Sequence, residues 1–170
     1  MKKIVFRTLA LFLLVGCAKQ AGQKFPTHRF TDEVRLRTTP VKDQGQSSLC
    51  WAYAMLATIE TEHLMQGDSV NLSPDYVARM YLAEQATKSL LTRTRNAVLP
   101  NQGTTITTRG MAGMLIDLIQ TYGLYHFDAY HKRGDTSYKV IERKLSQAVL
   151  APKTSNVAEQ IGYINTMLDD

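Results

Sequence analysis

The chain has 170 residues, 44% of them hydrophobic and 21% charged, enough for one domain with a core of its own. Its net charge of +5 is mild, and its Lys and Arg residues are dispersed apart from Lys2-Lys3 and the Arg93/Arg95 pair. That distribution excludes the clustered basic footprint of a nucleic-acid binder.

In chain order, Met1-Lys2-Lys3 is a charged leader, and residues 4–15 form an apolar run interrupted by Arg7 and Thr8. The run is shorter than the ~20 apolar residues that a transmembrane helix needs, so it reads as a targeting segment rather than a span. Leu14-Val15-Gly16-Cys17 follows and resembles the bacterial lipobox. That resemblance implies cleavage before Cys17, lipidation of Cys17, and a protein held to a membrane of the cell envelope. Ala18-Lys19 come next with no aspartate, which by the same resemblance suits an outer-membrane or periplasmic-face destination. Residues 1–16 are then the signal peptide, 17–29 the lipidated cysteine and tether, and 30–170 the folded domain. The lipid takes one of the chain's two cysteines, so Cys50 has no disulfide partner within the chain although the envelope is oxidising.

Residues 39–60 carry the strongest signal. Their first half, with Pro40, Gly45, Ser47 and Ser48, is polar and turn-forming. From Cys50 onward the residues are apolar or small nearly all the way round, which predicts a buried helix. Cys50 therefore stands where a polar loop becomes a helix. A cysteine at such a junction faces unsatisfied backbone N–H groups and the positive end of the helix dipole, surroundings that favour thiolate over thiol. Gln44, six residues upstream, can turn its amide N–H toward the point where an oxyanion forms on an attacked carbonyl.

Val41-Lys42-Asp43-Gln44-Gly45-Gln46 followed by Ser48-Leu49-Cys50-Trp51-Ala52-Tyr53-Ala54 resembles the active-site segment of the papain family of cysteine peptidases. The resemblance implies Cys50 as nucleophile, Gln44 as oxyanion donor and Trp51 as support at the base of the cleft, with a peptide or protein as substrate. It covers residues 30–131 and implies a mainly α chain: the N-terminal, helical half of the α+β papain-like fold, with the β-rich half absent. Two departures lean toward bleomycin-hydrolase-like or other bacterial branches. Ser47 stands where many secreted relatives have a disulfide cysteine, and the short interval after Cys17 leaves no room for a long inhibitory propeptide.

The Cys50 helix is expected to run to Gln66 and stop at Gly67. His63 lies on it, roughly 20 Å from Cys50 at the helical rise, too far to serve as its base. Ser73 as N-cap, Pro74 at the first helical position and Asp75 in the first turn predict a second helix reaching about Ser89. Residues 91–108 are polar, rich in Thr and Arg, and longer than a simple connector; they read as a substrate-facing loop or as a mobile insertion. Residues 111–122 form an amphipathic pattern with Met111, Met114, Leu115, Leu118 and Ile119 on one face and Gly123 as its stop. Arg109-Gly110, just before it, falls by resemblance near a glycine pair that lines substrate. Residues 124–130 read as extended. Two more helical patterns cover 137–150 and 156–168, the second opened by a capping box of Asn156 and Glu159.

A cysteine nucleophile of this family needs a histidine to take the thiol proton and an asparagine to orient that histidine. Both lie roughly 130–150 residues past the cysteine, which from Cys50 is at or beyond Asp170. The four histidines, His28, His63, His126 and His131, stand elsewhere, and Asp169-Asp170 with a terminal carboxylate oppose the dipole of the last helix. The expectation is an incomplete peptidase, inactive alone, whose second half follows in sequence or arrives as a complementing chain. Two other readings stay open: a non-catalytic envelope lipoprotein that uses the helical half as a binding module, and a structural helical domain with a coincidental motif. No metal or cofactor is expected, since there is no paired His/Cys spacing and no Gly-rich phosphate loop.

Overall fold

The computed structural model describes residues 31, 33–95, 105–131 and 137–169. The signal segment, Cys17, the tether and His28 lie outside the described residues. Backbone packing divides the chain into two units between Arg35 and Leu36, and the elements described below belong to the second, Leu36–Asp170.

Five helices and no strand are found among the described residues of that unit, so the chain is mainly helical as expected: α1 (Cys50–Met65), α2 (Pro74–Arg95), α3 (Ala112–Tyr122), α4 (Tyr138–Leu150) and α5 (Val157–Asp169). Local chemistry sets most of their ends. α1 closes when Gln66 N–H bonds back to the Glu62 and His63 carbonyls, and Gly67 follows at positive φ. α2 opens with Ser73 Oγ accepting from the Tyr76 N–H at 3.0 Å and with Pro74, whose missing N–H would be an orphan there anyway. α3 ends at Gly123, whose N–H donates to the Ile119 carbonyl at 2.9 Å. Ser137 caps α4 by accepting from Lys139 N–H at 3.4 Å.

α2 is the element that the others share. Its N-terminal half packs Val77 and Ala78 against Leu49, Trp51, Ala52 and Leu56 of the loop and α1, and against Leu115 and Leu118 of α3. From its middle onward it packs Leu82, Ala86 and Leu90 against Ile141 and Leu145 of α4 and Ile164 and Leu168 of α5. At 22 residues it extends about 33 Å, long enough to serve two apolar clusters. No helix among the described residues is long and apolar enough to cross a membrane.

Several expectations change. α1 is not buried all round: Trp51, Ala52, Leu56 and Glu60 are buried, while Ala54, Ala57 and Thr58 on the opposite side are exposed. The reason is that α2 and α3 pack on one side of it only. α2 runs six residues past Ser89, through Arg95, because Ser89 and Leu90 are still buried there, Leu90 in the second cluster. Residues 124–130 form no strand; a single antiparallel bridge joins His126 to Leu72, and a turn follows. Met111 is 65% exposed, off the buried face of α3. The capping box forms only in half: Asn156 Oδ1 accepts from Ala158 N–H at 3.0 Å, but Glu159 bonds the Thr154 hydroxyl instead of the Asn156 N–H. Asp169 at the end of α5 is neutralised by Arg79 of α2, which holds both of its carboxylate oxygens.

Candidate functional site

The loop before α1 is built by its own side chains. Gly45 adopts φ +55, a left-handed conformation that a side chain would strain, and its N–H donates to Asp43 Oδ1 at 2.8 Å. Ser47 Oγ donates to the Gln44 carbonyl at 2.7 Å, and Gln44 Nε2 donates to the Ser47 carbonyl at 3.2 Å. An amide carries two N–H donors, so this bond leaves Gln44 one. Tyr53, one turn into α1, donates its hydroxyl to the Asp43 carbonyl at 3.2 Å. Burial, then the Asp75 and Asp43 carboxylates, push that hydroxyl up to about 12, so it stays a neutral donor.

Cys50 is the first residue of α1, an exposed free thiol. As the first helical residue it has no carbonyl within the helix for its N–H to reach. Its neighbours on either side face inward: Leu49 is fully buried and Trp51 nearly so. Cys50 is thus presented outward by a loop and helix that are anchored beneath it. No hydrogen bond joins Gln44 to Cys50 among the described residues; the 44–47 turn is what links them.

The anchor is the segment 107–110. Thr108, 1% exposed, accepts from Ser48 N–H through its hydroxyl oxygen at 3.2 Å and from Trp51 Nε1 through its carbonyl at 2.9 Å. Gly110 lies against the indole so closely that a Cβ there would sit 2.6 Å from Trp51 Cε2. Tyr81 meets the same ring edge-on, with centroids 5.4 Å apart. The segment belongs to no helix or sheet, so its backbone groups need side-chain partners. Gln85 takes both backbone groups of Thr107, accepting from its N–H at 3.1 Å and donating to its carbonyl at 2.9 Å, and Tyr81 donates to the Arg109 carbonyl at 2.8 Å. Glu142 of α4 receives the Thr108 N–H and, at 2.7 Å, the Thr108 hydroxyl.

A second anchor lies further along α1. Glu60, 1% exposed, accepts from Lys42 Nζ, from the Thr39 hydroxyl and, at 2.6 Å, from Leu72 N–H. It thereby ties residues 39–42 and the α1–α2 connection to one carboxylate. Burial alone raises such a group, but the bonds from Lys42, Thr39 and Leu72 outweigh it and hold the carboxyl below its ordinary range. At the start of α2, Asp75 likewise binds the Tyr138 hydroxyl and His131 Nδ1, the latter at 2.8 Å.

The described histidines serve other partners. His63 Nδ1 meets Asp68 Oδ2 at 2.9 Å, His126 Nδ1 accepts from Asp128 N–H at 3.3 Å, and His131 joins Asp75 and stacks on Phe127. Among the described residues no group of three or more His, Cys, Asp or Glu is placed to hold a metal ion. No family model matches the chain.

Sequence reasoning missed Thr108, Glu142 and Glu60. Glu60 left a signal: it falls on the stripe 52, 56, 60, where a charge among apolar positions marks a residue with buried partners. Thr108 and Glu142 left none, because a polar Thr-rich run and a helical glutamate both read as surface.

Proposed function

We propose that this chain carries the nucleophile half of a papain-like cysteine peptidase, displayed on a lipid-anchored envelope protein. The observation that carries the reading is an exposed free thiol at the first residue of α1, with the residues before and after it buried and bonded beneath. In the reaction, Cys50 thiolate attacks an amide carbonyl, and the Cys50 N–H with the second N–H of Gln44 receives the oxyanion. Trp51 holds the helix start in place. The histidine that takes the thiol proton and later gives it to the leaving amine, with its orienting asparagine, comes from a β-rich segment or from a complementing second chain. The anchor is Cys17, and peptide or protein is the substrate.

The placement of the described histidines favours a second reading, since each is engaged by an aspartate residue away from Cys50. On that reading the domain is a binding module that does no chemistry.

The two separate in a labelling experiment on the full chain. The rate at which Cys50 reacts with a peptidyl epoxide is divided by its rate with iodoacetamide, and the ratio is compared with that of a free cysteine peptide. Peptide mapping keeps Cys50 apart from Cys17, and Cys50→Ser is the blank. A peptidase site gives a ratio well above the peptide's, reduced in Gln44→Ala. The helix N-terminus and the oxyanion donors both belong to this chain, so the ratio reads them without the histidine, and a ratio equal to the peptide's rejects the peptidase reading in favour of the module.

A further inference from the structure

We propose that Glu142 is the positioning residue of the Cys50 site, acting through Thr108. This rests on reading Cys50 as the nucleophile.

A threonine hydroxyl has one proton and two lone pairs. Thr108 gives its proton to Glu142 Oε1, which fixes the rotor so that a lone pair is free to face the Ser48 N–H. The same carboxylate oxygen takes the Thr108 backbone N–H and so holds the residue whose own carbonyl, in the next peptide unit, accepts from Trp51 Nε1. Ser48 lies two residues before Cys50 and Trp51 one residue after it. One carboxylate oxygen therefore governs, through one intermediate residue, the backbone on one side of the thiol and the indole on the other.

The direction of Glu142 is informative. Its own helix offers Lys139, Arg143 and Lys144 close by in sequence, yet the Glu142 carboxylate takes both the N–H and the hydroxyl of Thr108, 34 residues away. A part-buried acceptor oxygen that takes both the N–H and the hydroxyl of one residue fixes that residue's backbone and side chain together. The residues of α4 lie beyond the 30–131 stretch on which the peptidase resemblance rests, so a helix outside that stretch reaches the support of Cys50 through this one side chain.

The test uses the full chain with Glu142→Ala, Glu142→Gln and Thr108→Val. Two readouts are taken: the peptidyl-epoxide to iodoacetamide ratio at Cys50, and the emission of Trp51, the only tryptophan present. Glu142→Ala is expected to lower the ratio roughly 10- to 100-fold, the cost of small misplacement at a reacting centre, and to shift Trp51 emission to longer wavelength. Glu142→Gln keeps an acceptor oxygen and is expected to restore most of both. Thr108→Val, which preserves shape and removes the hydroxyl, is expected to lower the ratio in the same direction without loss of helix content.

Unchanged emission and ratio in Glu142→Ala and Thr108→Val overturn the proposal. So does a Glu142→Gln variant as impaired as Glu142→Ala, because a lost charge and not a lost acceptor would then be responsible. If the wild-type ratio equals that of a free cysteine peptide, it is the peptidase reading that fails, and the emission arm still decides whether Glu142 sets the Trp51 position.

Discussion

Gly110 and Trp51 show how narrow the tolerances around Cys50 are. The indole cannot step aside for a methyl group at position 110, because its N–H is bonded to the Thr108 carbonyl and Tyr81 closes on it edge-on. Gly110→Ala should therefore destabilise the fold by about 1–3 kcal/mol, the range for overpacking a filled core, measured as a lowered urea midpoint with unchanged slope. If the midpoint holds within error, the ring has more freedom than its contacts allow. The same residue scale explains what was readable beforehand. Cys50, Gln44 and Trp51 stand out in sequence because rare residue types occur at fixed short spacings. Thr108 and Glu142 do not, because their contacts span 34 to 60 residues and involve residue types common on any surface.

At the scale of elements, helix starts and stops were legible where a side chain or glycine terminates the backbone ladder. Ser73 and Pro74 begin α2, Ser137 begins α4, and Gly67 and Gly123 follow α1 and α3. Ser73 does more than cap, since its hydroxyl also donates to the Tyr130 carbonyl and so ties the start of α2 to the 124–131 segment. Ser73→Ala should cost about 1–2 kcal/mol, the upper part of the range for losing an N-cap, seen as a loss in thermal or urea stability. A neutral result would mean that water replaces both bonds. The length of α2 was not legible. Residues 92–95 are polar, and only the packing of α4 and α5 on the preceding turns makes a longer helix favourable there. Nor was the one-sided burial of α1 readable, because periodicity says that a helix is apolar but not how many neighbours arrive to cover it.

For the whole molecule, two carboxylates held by ion pairs, buried Glu60 and exposed Asp169, set the response to acid. Glu60 is raised by burial but lowered further by Lys42, Thr39 and Leu72, and Asp169 is lowered chiefly by its bond with Arg79. In both the folded value lies below the unfolded one, about 4.3 for Glu and 3.9 for Asp. Their stabilisation is thus fully present above about pH 5 and is lost as pH falls through the lowered folded values. Urea midpoints should stay level from neutral pH to about 5 and decline below it. Glu60→Gln should lower the midpoint at neutral pH, because it leaves Lys42, 15% exposed, without its counter-charge, and should make the acid decline shallower. An acid limb as steep as in the wild type would place the acid sensitivity elsewhere. The mainly helical class was legible at this scale from periodicity alone. The division of the interior into two clusters that share α2 was not, since it depends on where α4 and α5 dock.

The contact between Gly110 and Trp51 also has a meaning for descent. A position that must lack a side chain only because an indole lies 2.6 Å from where its Cβ would be is free once the indole is gone. Among homologous chains the two positions should vary as a pair, glycine at 110 wherever tryptophan stands at 51, with larger residues admitted at 110 only alongside a smaller one at 51.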